Sequence, residues 1–310
     1  MIRIEHIPQD NWQNCYQVSN THISLVATAD VGPRIISFGL PGKRNLFHQI
    51  PEQLGLSGGS EWRAYGGHRF WVAPEDRNRT YFPDNRPVSL ERQPAGICLT
   101  APLEESTGFQ KTIQLELAVD APRVHLTHTL TNCSSRSQSA AAWALTVMAS
   151  GGTAILPHSP RADWPSKLTA QNTLSLWSYT AMSDPRWSWG DRYILLRQTG
   201  GQSKPQKIGM FNSEGWAAYL LDGMLFRKFF AASEDGGYPD LNSNLEAWTN
   251  HEFLELETLG ALVMIEPGQV ITHVENWFLF GEIPPVKNDN DVDQAILPCI
   301  LECRKQMAAA

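Results

Sequence analysis

Apolar residues occupy alternate positions in many short segments of this chain, and no other feature constrains its fold as strongly. In KTIQLELAV, Ile113, Leu115 and Leu117 share one face of an extended segment, while polar side chains share the other. In RVHLTHTLTN, which follows after a DAP turn, Val124 and Leu126 alternate with polar residues in the same way. Two such segments joined by a short turn are typical of an antiparallel β-hairpin.

Similar segments recur along the chain, from HISLVAT to ITHVENWFLF, and 23 glycines and 20 prolines provide turns between them. Only DVDQAILPCILECRKQM, residues 291–307, has the spacing of a helix, which Pro298 either kinks or starts. About a dozen strands with almost no helix indicate an all-β sandwich or barrel. No repeat or change in composition divides the chain, so we expect one β domain over residues 1–283 and a linker with a helical tail over residues 284–310.

Charge and cysteine content argue against several classes of function. The formal net charge is −7 and no basic run is present, whereas nucleic-acid binding depends on clustered Lys and Arg. The first residues show no signal-peptide pattern, and no apolar run reaches the roughly 18 residues of a membrane span. Five cysteines, of which only Cys299 and Cys303 are close in sequence, fit idle thiols better than a zinc site. We therefore expect a cytoplasmic monomer or homodimer that binds no nucleic acid, membrane or metal.

Residues 61–76, EWRAYGGHRFWVAPED, are too polar for an ordinary core segment, because each buried polar group would need its own partner. Together with their neighbours they form a loop-rich stretch of about thirty residues, and long loops in compact domains are usually functional. Aromatic faces beside bidentate donors and acceptors suit a sugar. A surface loop held by Arg–acid pairs is the alternative. The candidate contacts are His68, Arg69, Trp71 and Glu75.

Two later segments contribute carboxylates. In EFLELETLG, Glu255 and Glu257 share a strand face with Phe253, and leucines occupy the other face. Paired acids on a sheet are usually solvated, but acid–base chemistry on a sugar requires such a pair. The polar and Gly-rich residues 233–250 are interpreted as a second rim loop that includes Asp240, since their spacing does not fit a calcium hand.

The segment THVENWFLF places His273, Glu275 and Trp277 on one strand face. These side chains form either a general acid with its orienting carboxylate or an outward polar face, and we favour the outward face. The chain has no phosphate-binding loop and no nucleophile elbow, which argues against nucleotide chemistry and serine hydrolysis.

Several segments together resemble the galactose mutarotase-like proteins. DVGPRIISFGLPGKRNLFHQ is similar to the family's opening strand and its Gly-x-x-Asn-Leu turn, and GGHRFWVAPE is similar to a Gly-Gly segment of the hexose-phosphate epimerases. FLELETLG resembles the late strand that carries the epimerase glutamate. The combination is most similar to an uncharacterised bacterial subgroup, the DUF4380-type proteins, and the resemblance covers nearly the whole chain.

This resemblance implies an antiparallel β-supersandwich with a sugar site on its concave face, and it implies aldose 1-epimerase chemistry without a metal or cofactor. In that chemistry a carboxylate removes the proton of the anomeric hydroxyl while a histidine protonates the ring oxygen. The ring opens, the aldehyde rotates and closure inverts C1. Glu257 matches the family's base. Arg34 and Asn45 match early positions, where Arg34 either holds a sugar hydroxyl or anchors the loop.

One departure concerns the family's acid histidine. Its strand reads SAAAWALTVM here and places Trp143 near the histidine position, although an indole N–H can only donate. His68 is the first candidate to replace that acid, followed by His158 and His273. Either another histidine substitutes in this way or the epimerase chemistry has been lost.

The sequence thus predicts a carbohydrate-binding protein of the mutarotase-like class that interconverts anomers or epimers, with Glu257 as base and His68 as acid. The substrate is a small sugar or a sugar phosphate, for which Arg63 and Arg69 offer a basic pair. A non-catalytic carbohydrate-binding protein and a lyase or hydrolase of glycosidic bonds are the alternatives. Substrate contacts are expected from Arg34, Asn45, Arg69, Trp71, Glu75, Asp240 and Glu255.

Overall fold

Residues 1–308, the part of the chain that this computed structural model describes, contain two large antiparallel β-sheets. The first sheet has eleven strands, numbered here in chain order. Ten of them lie side by side in the following order, and β20 (Val263–Ile265) pairs with β10. They are β1 (Arg3–Gln9), β2 (Trp12–Ser19), β3 (Ser24–Thr28), β4 (Arg34–Gly39), β5 (His68–Ala73), β10 (Gln138–Met148), β19 (Leu254–Leu259), β18 (Leu245–Thr249), β15 (Gln206–Met210) and β12 (Leu174–Leu176).

The second sheet has ten strands within the same described residues. The predicted hairpin is its pair of long central strands, in which Ile113 lies opposite His128 and burial alternates along both strands. In spatial order the strands are β13 (Trp187–Trp189), β14 (Tyr193–Arg197), β11 (Thr153–Pro157), β16 (Trp216–Leu221), β17 (Met224–Phe230), β21 (Val270–Phe280), β9 (Arg123–Asn132), β8 (Phe109–Leu117), β7 (Gly96–Thr100) and β6 (Ser89–Gln93).

The main hydrophobic core lies between the two sheets. Leu254 and Leu256 of the first sheet belong to the same buried cluster as Leu126, Phe226 and Trp277 of the second sheet. Because side chains alternate along a strand, Glu255 and Glu257 lie on the opposite face of β19, away from this core. The predicted separation of the two glutamates from the leucines is therefore confirmed.

The outward face predicted for His273, Glu275 and Trp277 is wrong. All three are buried between the sheets, where Glu275 accepts hydrogen bonds from Lys228 Nζ at 2.9 Å and Trp277 Nε1 at 2.7 Å. Thr258 Oγ1 also donates to Glu275 Oε1 and lies 2.7 Å from His273 Nε2. A polar strand face can be buried when every group on it finds a partner, and Lys228 supplies the counter-charge here.

A long loop was predicted around residues 61–76, but its second half is a strand. Residues 68–73 form β5, which is buried along its whole length between β4 and β10. The Gly-Gly pair before it allows the chain to enter the sheet, because Gly66 and Gly67 have φ values of 92° and 72°. A Cβ at Gly66 would also lie 2.1 Å from the carbonyl oxygen of His48.

The helical segments lie at one turn and at the C-terminal end of the described chain. They are α1 (Pro239–Asn242), a single turn with left-handed dihedral angles, α2 (Asp289–Ala295) and α3 (Leu297–Ala308), and a 3₁₀ turn spans Pro51–Gln53. Pro298 is the second residue of α3, so it starts a second helix instead of kinking one. Val292 and Ile300 pack against Trp216 and Phe278 on the outer face of the second sheet. Within residues 1–308, no helix combines the length and apolar character needed to cross a bilayer.

Candidate functional site

The candidate site lies on the outer face of the first sheet, where β5, β10, β19, β18 and β15 are adjacent. Four residues form a row across these strands, because Arg69 pairs with Leu145, Leu145 with Glu257, and Glu257 with Glu246. Side chains of residues directly opposite each other lie on the same face of a sheet. The row therefore brings one guanidinium and two carboxyl groups together, although they come from three separate parts of the sequence.

Lys207 lies between the two carboxyl groups of this row. Its Nζ is 2.7 Å from Glu246 Oε2 and 3.0 Å from Glu257 Oε2. Lys207 donates a hydrogen bond to Glu257, and its shorter contact with Glu246 is an ion pair. The side chains of both glutamates are fully buried and Lys207 is nearly so. We call these three residues the Glu–Lys–Glu cluster.

One oxygen of each glutamate in this cluster is buried without a partner among residues 1–308. Oε1 of Glu246 and Oε1 of Glu257 have no hydrogen-bond partner among the residues that the structure describes. A buried carboxyl oxygen without a partner costs free energy, and such groups in native structures mark strain, a bound water or ion, or a catalytic role. The cluster thus offers two adjacent oxygens that can each accept a hydrogen bond or, when protonated, donate one.

Burial and mutual charge shift the pKa of every member of the cluster. Burial raises the pKa of Glu257 and raises that of Glu246 well above its usual range, and Lys207 opposes both shifts. Burial would lower the pKa of Lys207, but the two carboxylates outweigh this effect and raise it. The ammonium therefore stays charged at neutral pH, while the two carboxyl groups compete for ionisation.

Trp143, which the sequence resemblance places near the family's histidine position, contacts the cluster directly. Its Nε1 donates to Glu257 Oε2 at 2.9 Å, and its ring centroid lies 4.9 Å from Lys207 Nζ. The indole is itself buried and packs edge-on against Trp71, with ring centroids 5.3 Å apart. Trp143 is therefore a fixed hydrogen-bond donor to Glu257 and cannot act as a general acid at neutral pH.

Arg69 and Glu255 form the second ion pair of the site. Arg69 Nη2 lies 2.6 Å from Glu255 Oε1, and its guanidinium lies 4.4 Å from the ring centroid of Trp71. Arg69 is almost fully buried, yet its Nε and Nη1 have no partner within residues 1–308. The site thus presents unpaired donors on one side and unpaired acceptors on the other, an arrangement that suits a ligand rich in hydroxyl groups.

An aromatic wall lies beside Arg69. The rings of Trp62, Trp71 and Tyr81 pack against one another with centroid separations of 5.1–5.6 Å. The Tyr81 hydroxyl donates to Glu75, which is exposed at the rim of this wall. Burial, reinforced by Glu75, raises the pKa of Tyr81, so its hydroxyl stays protonated.

A segment between β12 and β13 covers the cluster. The ring centroid of Trp177 lies 4.7 Å from Lys207 Nζ, and Thr180 Oγ1 donates to the carbonyl oxygen of Lys207. Burial and the charge of Glu257 raise the pKa of Tyr179 to about 12, and Lys207 opposes this shift. Trp177 is therefore the ring that lies against the cation of the cluster on this side.

The structure does not bring His68, the predicted acid, to Glu257. His68 and Arg69 are consecutive on β5, so they face opposite sides of the sheet, and His68 is fully buried between the two sheets. Its Nδ1 lies 2.9 Å from Thr146 Oγ1 and its Nε2 lies 2.7 Å from His128 Nε2. Burial holds the pKa of His68 well below its usual value. A general acid must contact its substrate, and His68 has no contact with the outer face.

The other candidate histidines also lie elsewhere. His273 is between the sheets, and burial lowers its pKa to about 3. His158 follows β11 of the second sheet and lines a surface cavity with Trp216 and Leu297. None of the three histidines considered from the sequence therefore lies beside Glu257.

Arg34 and Asn45, which match early positions of the family, support the backbone. Arg34 Nη1 donates to the carbonyl oxygens of Ala64 and Gly66 at 2.8 and 2.7 Å, and its Nη2 pairs with Asp84 at 2.6 Å. Of the two roles considered for Arg34, loop anchoring is thus the one its contacts show. The Asn45 side chain closes the turn after β4 through the backbone of Ile36, Phe38 and Phe47.

Asp240 lies in the left-handed turn α1, next to the site but not in its row. The backbone oxygen of Asp240 accepts hydrogen bonds from Ser175 Oγ and Ser243 Oγ, both at 2.8 Å. Its charge contributes to the raised pKa of Glu246. Of the predicted contacts, Glu257, Glu255, Arg69 and Trp71 therefore come together, Glu75 and Asp240 lie at the rim, and His68, Arg34 and Asn45 lie outside.

Sequence reasoning missed Lys207, the central cation of the site. Lys207 precedes the alternating apolar residues Ile208 and Met210, so its side of β15 was predictable, but the pattern does not distinguish a buried lysine from a solvated one. Glu246 lies inside the polar segment 233–250, and nothing in that segment's sequence indicates that it pairs with β19. Both residues belong to the site only because distant strands pair.

Comparisons with known proteins agree with this architecture. The chain has the fold of the galactose mutarotase-like proteins, as the resemblance implied, and the predicted all-β supersandwich with a C-terminal helix is confirmed. A galactose mutarotase-like protein from Lactobacillus casei is 10% identical with a TM-score of 0.56, over 86% of this chain and all (100%) of the other. A candidate aldose 1-epimerase from Klebsiella pneumoniae is 11% identical with a TM-score of 0.60, over 91% of this chain and 83% of the other.

A larger protein also contains this architecture. A TPR-domain containing protein from Parabacteroides distasonis is 12% identical with a TM-score of 0.57, over 88% of this chain, and the chain spans about half (48%) of its length. No family model matches the chain, and no curated protein matches it. At these identities the structural similarity establishes the fold and leaves the activity to be argued from the site.

Proposed function

We propose that this protein binds a sugar against the outer face of its first sheet and interconverts its anomers or epimers with Glu257 as the base. The observation that carries this proposal is the free Oε1 of the fully buried Glu257, between the partly unpaired Arg69 and the ammonium of Lys207. The aromatic wall of Trp62, Trp71 and Tyr81 supplies apolar surface beside these polar groups. This combination of polar groups and rings is what a pyranose needs.

The proposed chemistry transfers two protons: one leaves the anomeric hydroxyl, and one is added to the ring oxygen. Glu257 Oε1 takes the proton of the anomeric hydroxyl, and the C1–O5 bond breaks as its electron pair moves to the ring oxygen. The ring oxygen takes a proton from a donor, and the open-chain aldehyde rotates about C1–C2. Ring closure by the reverse transfers gives the other anomer. Arg69 and the aromatic wall hold the rest of the sugar.

A non-catalytic sugar-binding protein is the second candidate, and one observation favours it. Trp143 stands where the family resemblance implies the acid histidine, and its N–H holds one oxygen of Glu257. A site that had lost its acid would still bind a sugar through Arg69 and the free carboxyl oxygens. The two candidates differ in turnover and not in binding.

Cleavage of glycosidic bonds fits the arrangement less well. The carboxyl groups of a glycosidase flank the scissile bond, roughly 5–9.5 Å apart. Glu246 and Glu257 instead lie side by side, each within 3.0 Å of the same Lys207 Nζ, and Glu255 is held by Arg69.

Magnetisation-transfer NMR on a panel of aldoses and their 6-phosphates tests the proposal. We expect the wild type to accelerate exchange between the anomer signals of at least one sugar. Glu257→Gln is expected to abolish this exchange and to keep sugar binding measurable by calorimetry. Glu91→Gln, which changes an exposed glutamate on the second sheet, is the matched control and is expected to behave as wild type. Binding without exchange by the wild type would establish the non-catalytic candidate instead.

A further inference from the structure

We propose that Glu246 is the proton donor of this site, held as a neutral carboxylic acid beside the Glu257 carboxylate. Its donation to a sugar ring oxygen rests on the proposed function, whereas its protonated state does not. The inference supplies the acid that neither His68 nor Trp143 can provide from its position in the structure.

The count of charges requires one proton in the Glu–Lys–Glu cluster. Glu255 is neutralised by Arg69, which leaves Glu246 and Glu257 with Lys207 as their single cation within residues 1–308. Two like charges this close in a buried site do not both ionise, since one of them then lacks a counter-charge. One of the two carboxyl groups therefore keeps its proton at neutral pH.

The hydrogen bonds decide which group keeps it. Glu257 accepts two hydrogen bonds, from Trp143 Nε1 at 2.9 Å and Lys207 Nζ at 3.0 Å, and donors favour the charged form of a carboxyl group. Glu246 has one partner among residues 1–308, Lys207 Nζ at 2.7 Å, and the negative charges of Asp240 and Glu257 oppose its ionisation. The negative charge thus resides on Glu257 and the proton on Glu246. The direction of the Glu246 pKa shift agrees with this assignment.

The geometry also allows the two carboxyl groups to contact the two oxygens that are attached to the anomeric carbon of a sugar. Oε1 of Glu246 and Oε1 of Glu257 are both without a partner in the described chain, and the two residues are directly opposite each other on β18 and β19. The anomeric hydroxyl and the ring oxygen are attached to the same carbon. Two adjacent carboxyl groups can therefore contact both oxygens at once, one accepting a hydrogen bond and the other donating one.

The proton count closes over a turnover. Glu257 gains the proton of the anomeric hydroxyl while Glu246 gives its proton to the ring oxygen, so the cluster has the same total charge with the sugar open. After rotation about C1–C2, Glu246 takes the proton back from the O5 hydroxyl as O5 attacks C1. Glu257 returns its proton to O1. Lys207 stays charged throughout and contacts whichever group is ionised.

Infrared difference spectroscopy tests the protonated state without any substrate. We expect a carbonyl stretching band of a protonated carboxyl group at neutral pH, sensitive to exchange into D₂O, that is lost in Glu246→Gln. Glu246→Asp is expected to shift the frequency of this band, because the substituted side chain is the one that carries the proton. Glu257→Asp is expected to leave the frequency of the band unchanged. A band that moves only in Glu257→Asp overturns the assignment, and so does the absence of any such band in the wild type.

The pH dependence of anomer exchange tests the donor role. We expect Glu246→Gln to lower kcat by about 10²–10⁴-fold, the range of general acid catalysis, with little change in KM and loss of the alkaline limb of the profile. Glu246→Asp is expected to keep that limb, and the control Glu91→Gln is expected to match the wild type. Wild-type exchange with an unaffected Glu246→Gln overturns this inference alone. Absence of exchange in the wild type overturns the proposed function and the donor role together.

Discussion

Trp143 donates its indole N–H to Glu257 Oε2 over 2.9 Å, and both side chains are buried on the outer face of the first sheet. This relationship gives a physical role to the residue that the sequence resemblance places near the family's histidine position. An indole cannot give up its proton as a general acid at neutral pH, but a donated hydrogen bond stabilises a carboxylate relative to the acid. Trp143 is therefore a positioning residue that favours the ionised form of the proposed base.

Trp143→Phe is expected to remove this stabilisation and to raise the pKa of Glu257 further. On the acid limb of the pH profile, kcat falls because the base becomes protonated. This limb should move to higher pH by about one unit, since a hydrogen bond to a charged group contributes about 1.5 kcal/mol. Anomer exchange measured across pH checks the shift. Trp164→Phe alters a tryptophan that is 83% exposed and should leave the limb in place. An acid limb that does not move in Trp143→Phe contradicts the role of this hydrogen bond.

Lys207→Met is expected to destabilise the fold because it leaves two buried carboxyl groups without their shared cation. The loss should be about 3–5 kcal/mol in the free energy of unfolding, the usual cost of breaking a buried ion pair from one side. Urea denaturation measures it, with the exposed Lys43→Met as the control. The double change of Lys207→Met with Glu257→Gln should recover part of the loss, because it also removes the carboxylate that has lost its cation. A double variant no more stable than Lys207→Met would mean that the carboxyl groups do not depend on this lysine.

Stability should fall in mild acid because His68, His128 and His273 are buried between the sheets with lowered pKa values. The unfolded chain takes up these protons near pH 6.5, whereas folded His273 does so only near its pKa of about 3. Between these values the unfolded state binds more protons, so the free energy of unfolding is retained above pH 6.5 and decreases as pH falls toward 3.

For His273 alone this decrease is at most about 1.4 kcal/mol per pH unit. Denaturation at a series of pH values should show a shallower slope for His273→Gln, and the exposed His22→Gln is the matched control. An unchanged slope in His273→Gln would mean that its imidazole is already protonated in the folded protein.

Local pattern predicted part of this site, and strand pairing determined the rest. Alternation placed Glu255 and Glu257 on one face of β19, and the structure confirms it. The same rule applied to HRFWVA separates His68 from Arg69, but treating those residues as a loop concealed this consequence. Lys207 could not be predicted to lie beside Glu257, because the strands that bring them together are fifty residues apart in sequence. Long-range pairing leaves no periodic signal in either segment.

Unphosphorylated sugars should bind better than their phosphates. Arg69 is already paired with Glu255 and Lys207 with two carboxyl groups, so the described part of the site, residues 1–308, offers a phosphate no free cation. Arg63, the other half of the basic pair considered from the sequence, donates to the Gly58 carbonyl oxygen and the Tyr65 hydroxyl instead. Calorimetry with an aldose and its 6-phosphate measures the preference.

Glu255→Gln provides the decisive variant for this preference, because it frees the charge of Arg69. We expect it to raise the affinity for the phosphate about tenfold relative to the aldose, equivalent to about 1.4 kcal/mol. Glu252→Gln, at an exposed position in the adjacent turn, is the control and should not change the ratio. Stronger binding of the phosphate by the wild type would contradict the charge balance described here.

Access to the buried carboxyl oxygens should depend on the segment that carries Trp177. Both glutamates of the cluster are fully buried, and the Trp177 ring lies 4.7 Å from Lys207 Nζ, so we expect this ring to limit the access of a sugar to Oε1. Trp177→Ala removes that obstacle without touching either carboxyl group. We expect faster association and faster dissociation of the sugar, because the same movement limits both steps. Stopped-flow fluorescence measures the two rates, and Trp164→Ala, on the preceding connection, is the matched control. Unchanged rates in Trp177→Ala would show that the sugar enters from the aromatic wall, past Tyr81 and Glu75.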